Sequence, residues 1–111
     1  MTGFRVFLTE PVEKAIAKLD KSEQERVEKI LAQLYEKGGQ VGKPLSGFRF
    51  LREKKFNGKR LYYFVYEQWS VILVAAISDK KAQQATISQI LLESRQYQTY
   101  VIELLRKKGI I

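Results

Sequence analysis

Asn57-Gly58 lies between two runs of β-forming residues, and this dipeptide limits the fold more than any other pair in the chain. A two-residue type I′ turn needs positive φ at both central positions, which Asn and Gly tolerate best. An Asn-Gly step in this setting therefore predicts a tight hairpin. Arg52-Glu53-Lys54-Lys55-Phe56 enters the turn, and Arg60-Leu61-Tyr62-Tyr63-Phe64-Val65-Tyr66 leaves it. A second turn near Glu67-Gln68 leads to Ser70-Val71-Ile72-Leu73-Val74-Ala75-Ala76-Ile77. That run is almost wholly apolar, which predicts a central strand covered on both faces. The chain then leaves the sheet at the charged corner Ser78-Asp79-Lys80-Lys81.

Before this meander the pattern is helical. Phe4-Arg5-Val6-Phe7-Leu8 predicts a short strand. Thr9 is placed to cap a helix with Pro11 in its first turn, where a missing N–H costs nothing. Val12, Ala15, Ile16 and Leu19 share one helical face. Ser22 with Glu25 three residues on reads as a capping box for a second helix, whose apolar face is Val27, Ile30, Leu31 and Leu34. Lys37-Gly38-Gly39 marks its end. Two amphipathic helices joined so tightly predict an antiparallel hairpin. Residues 38–47 read as a glycine-rich connection that matches no phosphate-binding fingerprint. Residues 83–108 carry helical spacing at Ala85, Ile87, Ile90 and Leu91 and again at Tyr97, Val101, Leu104 and Leu105. The polar run Ser94-Arg95-Gln96 leaves one long helix or two shorter ones open.

The whole predicts one α+β domain over residues 1–111. An N-terminal strand and helical hairpin pack on a small, mostly antiparallel sheet, with a C-terminal helix appended. A chain of 111 residues holds one real core and not two. It has no cysteine, which removes disulfides and thiolate chemistry and fits an intracellular home. With neither a stretch of membrane-span length nor the apolar run of a signal peptide, it reads as soluble and cytoplasmic.

Charge distribution then points to a surface. The net charge is +8. Residues 1–37 balance seven basic against seven acidic side chains, whereas residues 38–81 carry nine basic and three acidic. The excess sits in the meander and its entry loop, and such a concentration attracts phosphate backbones or an acidic partner. Strand alternation places Arg60, Tyr62, Phe64 and Tyr66 on one face, expected to be open, and Leu61, Tyr63 and Val65 on a helix-covered one. Cations interleaved with aromatic rings suit nucleic acid: Arg52, Lys59 and Lys80 to hold phosphates, Tyr62 to stack on a base.

The chain lacks histidine, so proton transfer and metal ligation lose their commonest side chain. Glu53, Glu67 and Asp79 in the meander form no sequence cluster for a metal, and no cofactor is implied. Clustered cations remain as a means of cleaving RNA. A fixed arginine stabilises charge developing on phosphorus, and a lysine among other cations can exchange a proton near neutral pH. Lys54, Lys55, Arg60, Lys80 and Lys81 supply the materials. The register that would place Lys54 or Lys55 beside Arg60 is not fixed by the sequence.

The stretch Leu51 to Phe56, the run Arg60-Leu61-Tyr62-Tyr63, and Asp79-Lys80-Lys81-Ala82-Gln83 after an apolar strand, following a helical hairpin and a glycine-rich loop, resemble the RelE/ParE superfamily of toxins from type II toxin–antitoxin modules. The last two look closest to its addiction-module killer proteins. The resemblance implies a small antiparallel sheet on a helical hairpin. RelE-like members are ribosome-dependent mRNA endonucleases, and their cationic site maps onto Arg60, Lys81 and Lys54 or Lys55. It implies an antitoxin partner with an acidic or amphipathic segment. ParE-like members share the fold but inhibit DNA gyrase without cleavage, and a degenerate toxin or plain RNA-binding module would share it too. Where some active members carry a C-terminal tyrosine, this chain has Ile87.

Overall fold

A computed structural model describes residues 3–45 and 47–111. The first strand, β1 (Arg5–Leu8), runs into helix α1 (Glu10–Ala17). Thr9 caps α1 as its sequence predicts, its Oγ1 accepting the Val12 N–H at 3.4 Å, with Pro11 in the first turn. Helix α2 (Lys21–Lys37) begins two residues earlier than expected. Its cap is Asp20, not Ser22, and the box closes with Glu23: Asp20 Oδ1 accepts the Glu23 N–H at 2.7 Å while Glu23 Oε1 accepts the Asp20 N–H. Two overlapping boxes compete here. Asp caps about as well as Ser, and the earlier start adds two residues of helix. Gln24 Nε2 donates to Ile16 O at 3.0 Å and ties the two helices together.

Gly38, with φ at 61°, ends α2, and a 3₁₀ turn follows over Gly38–Gln40. The segment read as a plain connection then forms a further strand, β2 (Lys43–Leu45). Three residues containing a proline give too little periodicity to announce a strand, and Pro44 is tolerated because β2 is an edge. Strand β3 (Phe48–Phe56) starts four residues before the expected Arg52. The Asn57-Gly58 turn is as predicted, with φ of 46° and 75°. Strand β4 (Lys59–Tyr66) returns, a 3₁₀ turn at Glu67–Trp69 and a left-handed Ser70 replace the simple second turn, and β5 (Val71–Asp79) completes the meander. The C-terminal segment is two helices, α3 (Gln83–Leu92) and α4 (Ser94–Lys107), broken at Glu93.

The strands are ordered β1-β5-β4-β3-β2, with β1 parallel to β5 and the other pairs antiparallel. Alternation along β4 divides the interior. Leu61, Tyr63 and Val65 join Val12, Val27, Ile30 and Leu34 under the helical hairpin, as expected. Tyr62, Phe64 and Tyr66 join Ile90, Val101 and Leu105 under α3 and α4. The second face, expected to be open, is therefore covered. The reason is the C-terminal pair of helices, whose apolar residues need a sheet to bury against. A β-bulge supports this packing. Tyr62 pairs with Ala76 but Tyr63 with Val74, so Ala75 is the extra residue and both alanines face the C-terminal core.

Candidate functional site

The register answers the question the sequence left open. Lys55 pairs with Arg60, Lys54 with Leu61, and Glu53 with Tyr62. Directly paired residues share a face, so Glu53, Lys55, Arg60 and Tyr62 lie on the α3–α4 side. On β5, Arg60 pairs with Ser78 and Lys59 with Asp79, so the exposed Lys80 and Lys81 leave the sheet at the same end. Arg60, Lys55 and the Lys80-Lys81 corner are thus brought together at one end of the sheet.

Arg60 is not the exposed centre of this cluster. It is 7% exposed, and its Nε is buried without a hydrogen-bond partner. Among the described residues its side chain makes no ion pair. Like charges directly opposite one another in a sheet are destabilising, so the Lys55–Arg60 pair favours the arrival of an anion. Arg60 offers a donor whose desolvation has no compensating bond in this state.

The remaining candidates divide. Lys54 points to the helical-hairpin side. Arg52 is a structural residue: its Nε donates to Val41 O at 3.1 Å and its Nη2 to Gly42 O at 3.0 Å, anchoring the chain before β2. Lys59 donates to Glu23 Oε2 at 2.6 Å, and that bond holds its ammonium pKa above the usual lysine value. Tyr62 is fully buried, its hydroxyl 2.8 Å from Ser78 Oγ, which itself donates to Asp79 O at 3.0 Å. Burial raises the phenol pKa of Tyr62, offset in part by the Ser78 hydroxyl. A ring under two helices has no face left for a base, so the expected stacking by Tyr62 is not available here. Tyr63 is core, as expected. Its hydroxyl donates to Val41 O, and burial pushes its pKa up to about 12, opposed by Arg52.

Glu53, weighed in the sequence only as a metal ligand, meets Lys43 and Gln83, to which sequence reading assigned no site role. Glu53 is 1% exposed; its Oε1 accepts from Gln83 Nε2 at 3.1 Å, and its Oε2 lies 3.6 Å from Lys43 Nζ. A hollow of about 330 Å³ opens here, lined by Gly42, Lys43, Glu53, Lys54 and Lys55. Lone acidic residues in a basic strand usually read as charge balance. The alternation that puts Glu53 on the face of Lys55 was the available signal. Among the described residues, no group of three or more His, Cys, Asp or Glu is placed to hold a metal. Nor is any helix there long and apolar enough to cross a membrane.

No protein-family model matches the chain, and no curated protein matches its sequence significantly. Solved structures do match. A doubly substituted Escherichia coli toxin RelE in the free state is 23% identical over 76% of this chain and 90% of that one, with a TM-score of 0.64. A RelBE toxin–antitoxin complex from Mycobacterium tuberculosis is 18% identical over 72% and 94%, with a TM-score of 0.61. An archaeal RelE–RelB complex from Pyrococcus horikoshii is 20% identical over 72% and 97%, with a TM-score of 0.60. The protein has the α+β fold of the RelE toxins.

Proposed function

We propose that this protein is the toxin of a type II toxin–antitoxin pair, a single-domain, metal-independent endoribonuclease that cuts mRNA on the ribosome. The observation that carries the reading is the Lys55–Arg60 pair, two cations held side by side without an ion-paired carboxylate on Arg60, at one end of a RelE-type sheet. In this reading Arg60 stabilises the phosphate in the transition state, an effect worth about 10²–10³ in rate per donor. Lys55 and Lys80 orient the RNA, and Lys54, on the other face of β3, lines the hollow next to Lys55. Lys81 protonates the leaving oxygen. The partner is a cognate antitoxin whose acidic or amphipathic segment covers the basic end by adding a helix or strand. Support for a partner of this kind comes from the similar RelE chains solved in complex with RelB or a RelB peptide.

Controlled expression in a bacterial host tests the reading. Growth arrest with mRNA cut in the ribosomal A site is expected, and Arg60→Ala should abolish it while the protein stays folded. Arrest with intact mRNA and an induced DNA-damage response would replace the nuclease with gyrase inhibition. Harmless expression of the folded chain would leave a degenerate toxin or a plain RNA-binding module.

A further inference from the structure

Among the described residues three buried side-chain atoms lack any hydrogen-bond partner: Glu53 Oε2, Arg60 Nε and Tyr66 Oη. Two of the three belong to one site. Glu53 pairs with Tyr62, and Arg60 pairs with Lys55, so the carboxylate and the guanidinium are diagonal neighbours on one face, with about 7–8 Å between their backbones. An arginine spans that distance, yet the two open atoms do not meet. A group that donates a hydrogen bond to one and accepts from the other would satisfy both. A ribonucleotide has this pattern on adjacent atoms: its 2′-hydroxyl donates and its 3′-phosphate accepts.

We propose that Glu53 is a catalytic residue, the acceptor of the ribose 2′-hydroxyl proton, an assignment that rests on the nuclease reading above. The carboxylate lines the hollow that Lys43, Lys54 and Lys55 surround, so a route for a phosphate-bearing chain leads to it. Gln83, the first residue of α3, fixes Oε1 and leaves Oε2 free for the proton. Lys43, 3.6 Å away, supplies the countercharge. The step balances without a further reactant. The 2′-hydroxyl proton passes to Glu53 Oε2, and the 2′-oxygen's electron pair forms the bond to phosphorus. The bond from phosphorus to the 5′-oxygen breaks, and that oxygen takes a proton from Lys81. The products are a 2′,3′-cyclic phosphate and a 5′-hydroxyl, and both side chains return to their starting states by exchange with water.

The test uses the purified full chain on ribosomes programmed with a defined mRNA, comparing wild type, Glu53→Gln and Glu53→Asp. Glu53→Gln should slow cleavage about 10²–10⁴-fold and remove the acid limb of the pH–rate profile. Its unfolding midpoint, and its affinity for programmed ribosomes carrying a 2′-deoxy nucleotide at the cut, should stay near wild type. Glu53→Asp should recover part of the rate and the acid limb. Cleavage by Glu53→Gln within about threefold of wild type, with an unchanged pH profile, overturns the role of Glu53 and leaves the nuclease reading standing. If both variants are inactive and both lose folding stability, the residue is structural and the proposal falls. If wild type leaves the mRNA intact, the nuclease reading fails, and the role of Glu53 fails with it.

Discussion

Replacing Arg60 with methionine should make this protein more stable and, under the nuclease reading proposed above, far less active. Arg60 is 93% removed from solvent, with a buried Nε that bonds to nothing and a lysine directly opposite. A buried donor without a partner costs about 1–3 kcal/mol. A directly opposed like charge adds a few tenths to about 1 kcal/mol. Methionine keeps most of the apolar stem of arginine and discards both penalties, as seen when buried charges elsewhere are replaced by apolar residues of similar volume. Losing the attraction of Glu53, its diagonal neighbour, offsets part of this, so the expected gain in Arg60→Met is about 1–3 kcal/mol. For a domain of this length each kcal/mol raises Tm by about 4 °C. Equilibrium urea unfolding measures the gain directly, as a higher midpoint with an unchanged slope. The gap between variant and wild type should narrow as salt is added, because salt screens the repulsion that only wild type carries. Under the proposed nuclease reading, RNA cleavage should fall by about 10²–10³. A variant less stable than wild type by more than about 1 kcal/mol would refute the reasoning, since Arg60 would then be holding the fold together.

Three further outcomes are expected. Gly42→Ala should destabilise by about 3 kcal/mol or more, because φ is +70° there and the new Cβ would collide with the Glu53 carbonyl and the Tyr63 hydroxyl; thermal unfolding reads it. Tyr63 stays neutral to about pH 12 when folded but ionises near its ordinary value of 10.0 when unfolded, so its contribution is complete below pH 10 and is lost as pH rises toward 12. Alkaline unfolding of wild type against Tyr63→Phe should show a difference in pH dependence of about 2–3 kcal/mol across that window. Affinity for single-stranded RNA should fall with salt at about −3 in log K per decade, for about four phosphate contacts, and a flat titration would remove the basic end as the contact surface.

The elements that repeat a strong local rule were legible in the sequence: the Thr9 cap, the two amphipathic helices, the Asn57-Gly58 hairpin and the buried β5. The facing of Leu61, Tyr63 and Val65 toward the helical hairpin followed from alternation alone. What escaped depended on partners distant in the chain. Nothing local in Lys43-Pro44-Leu45 says that Glu53 and Arg52 will pair with it. The cover over Tyr62 and Tyr66 depends on where α3 and α4 dock, and helical periodicity gives a face but not its destination. At the site, composition identified the cations, but Arg52 and Lys59 resembled Lys55 until the register and Glu23 separated them. Glu53 was hidden because a single carboxylate among lysines looks like charge balance, and only its burial shows otherwise.

The tight turn at Asn57-Gly58 has a further consequence. Lys55 and Arg60 repel one another, so their adjacency cannot come from mutual attraction. It is imposed by the number of residues in the loop joining them. Slide β4 by one position and its inward and outward sets exchange, sending the guanidinium beneath the helical hairpin and setting Leu61 or Lys59 opposite Lys55 according to the direction. Loop length here sets the geometry of the proposed cationic site, and an insertion at the tip that shifts the register by one would separate the pair while leaving every cation in the sequence.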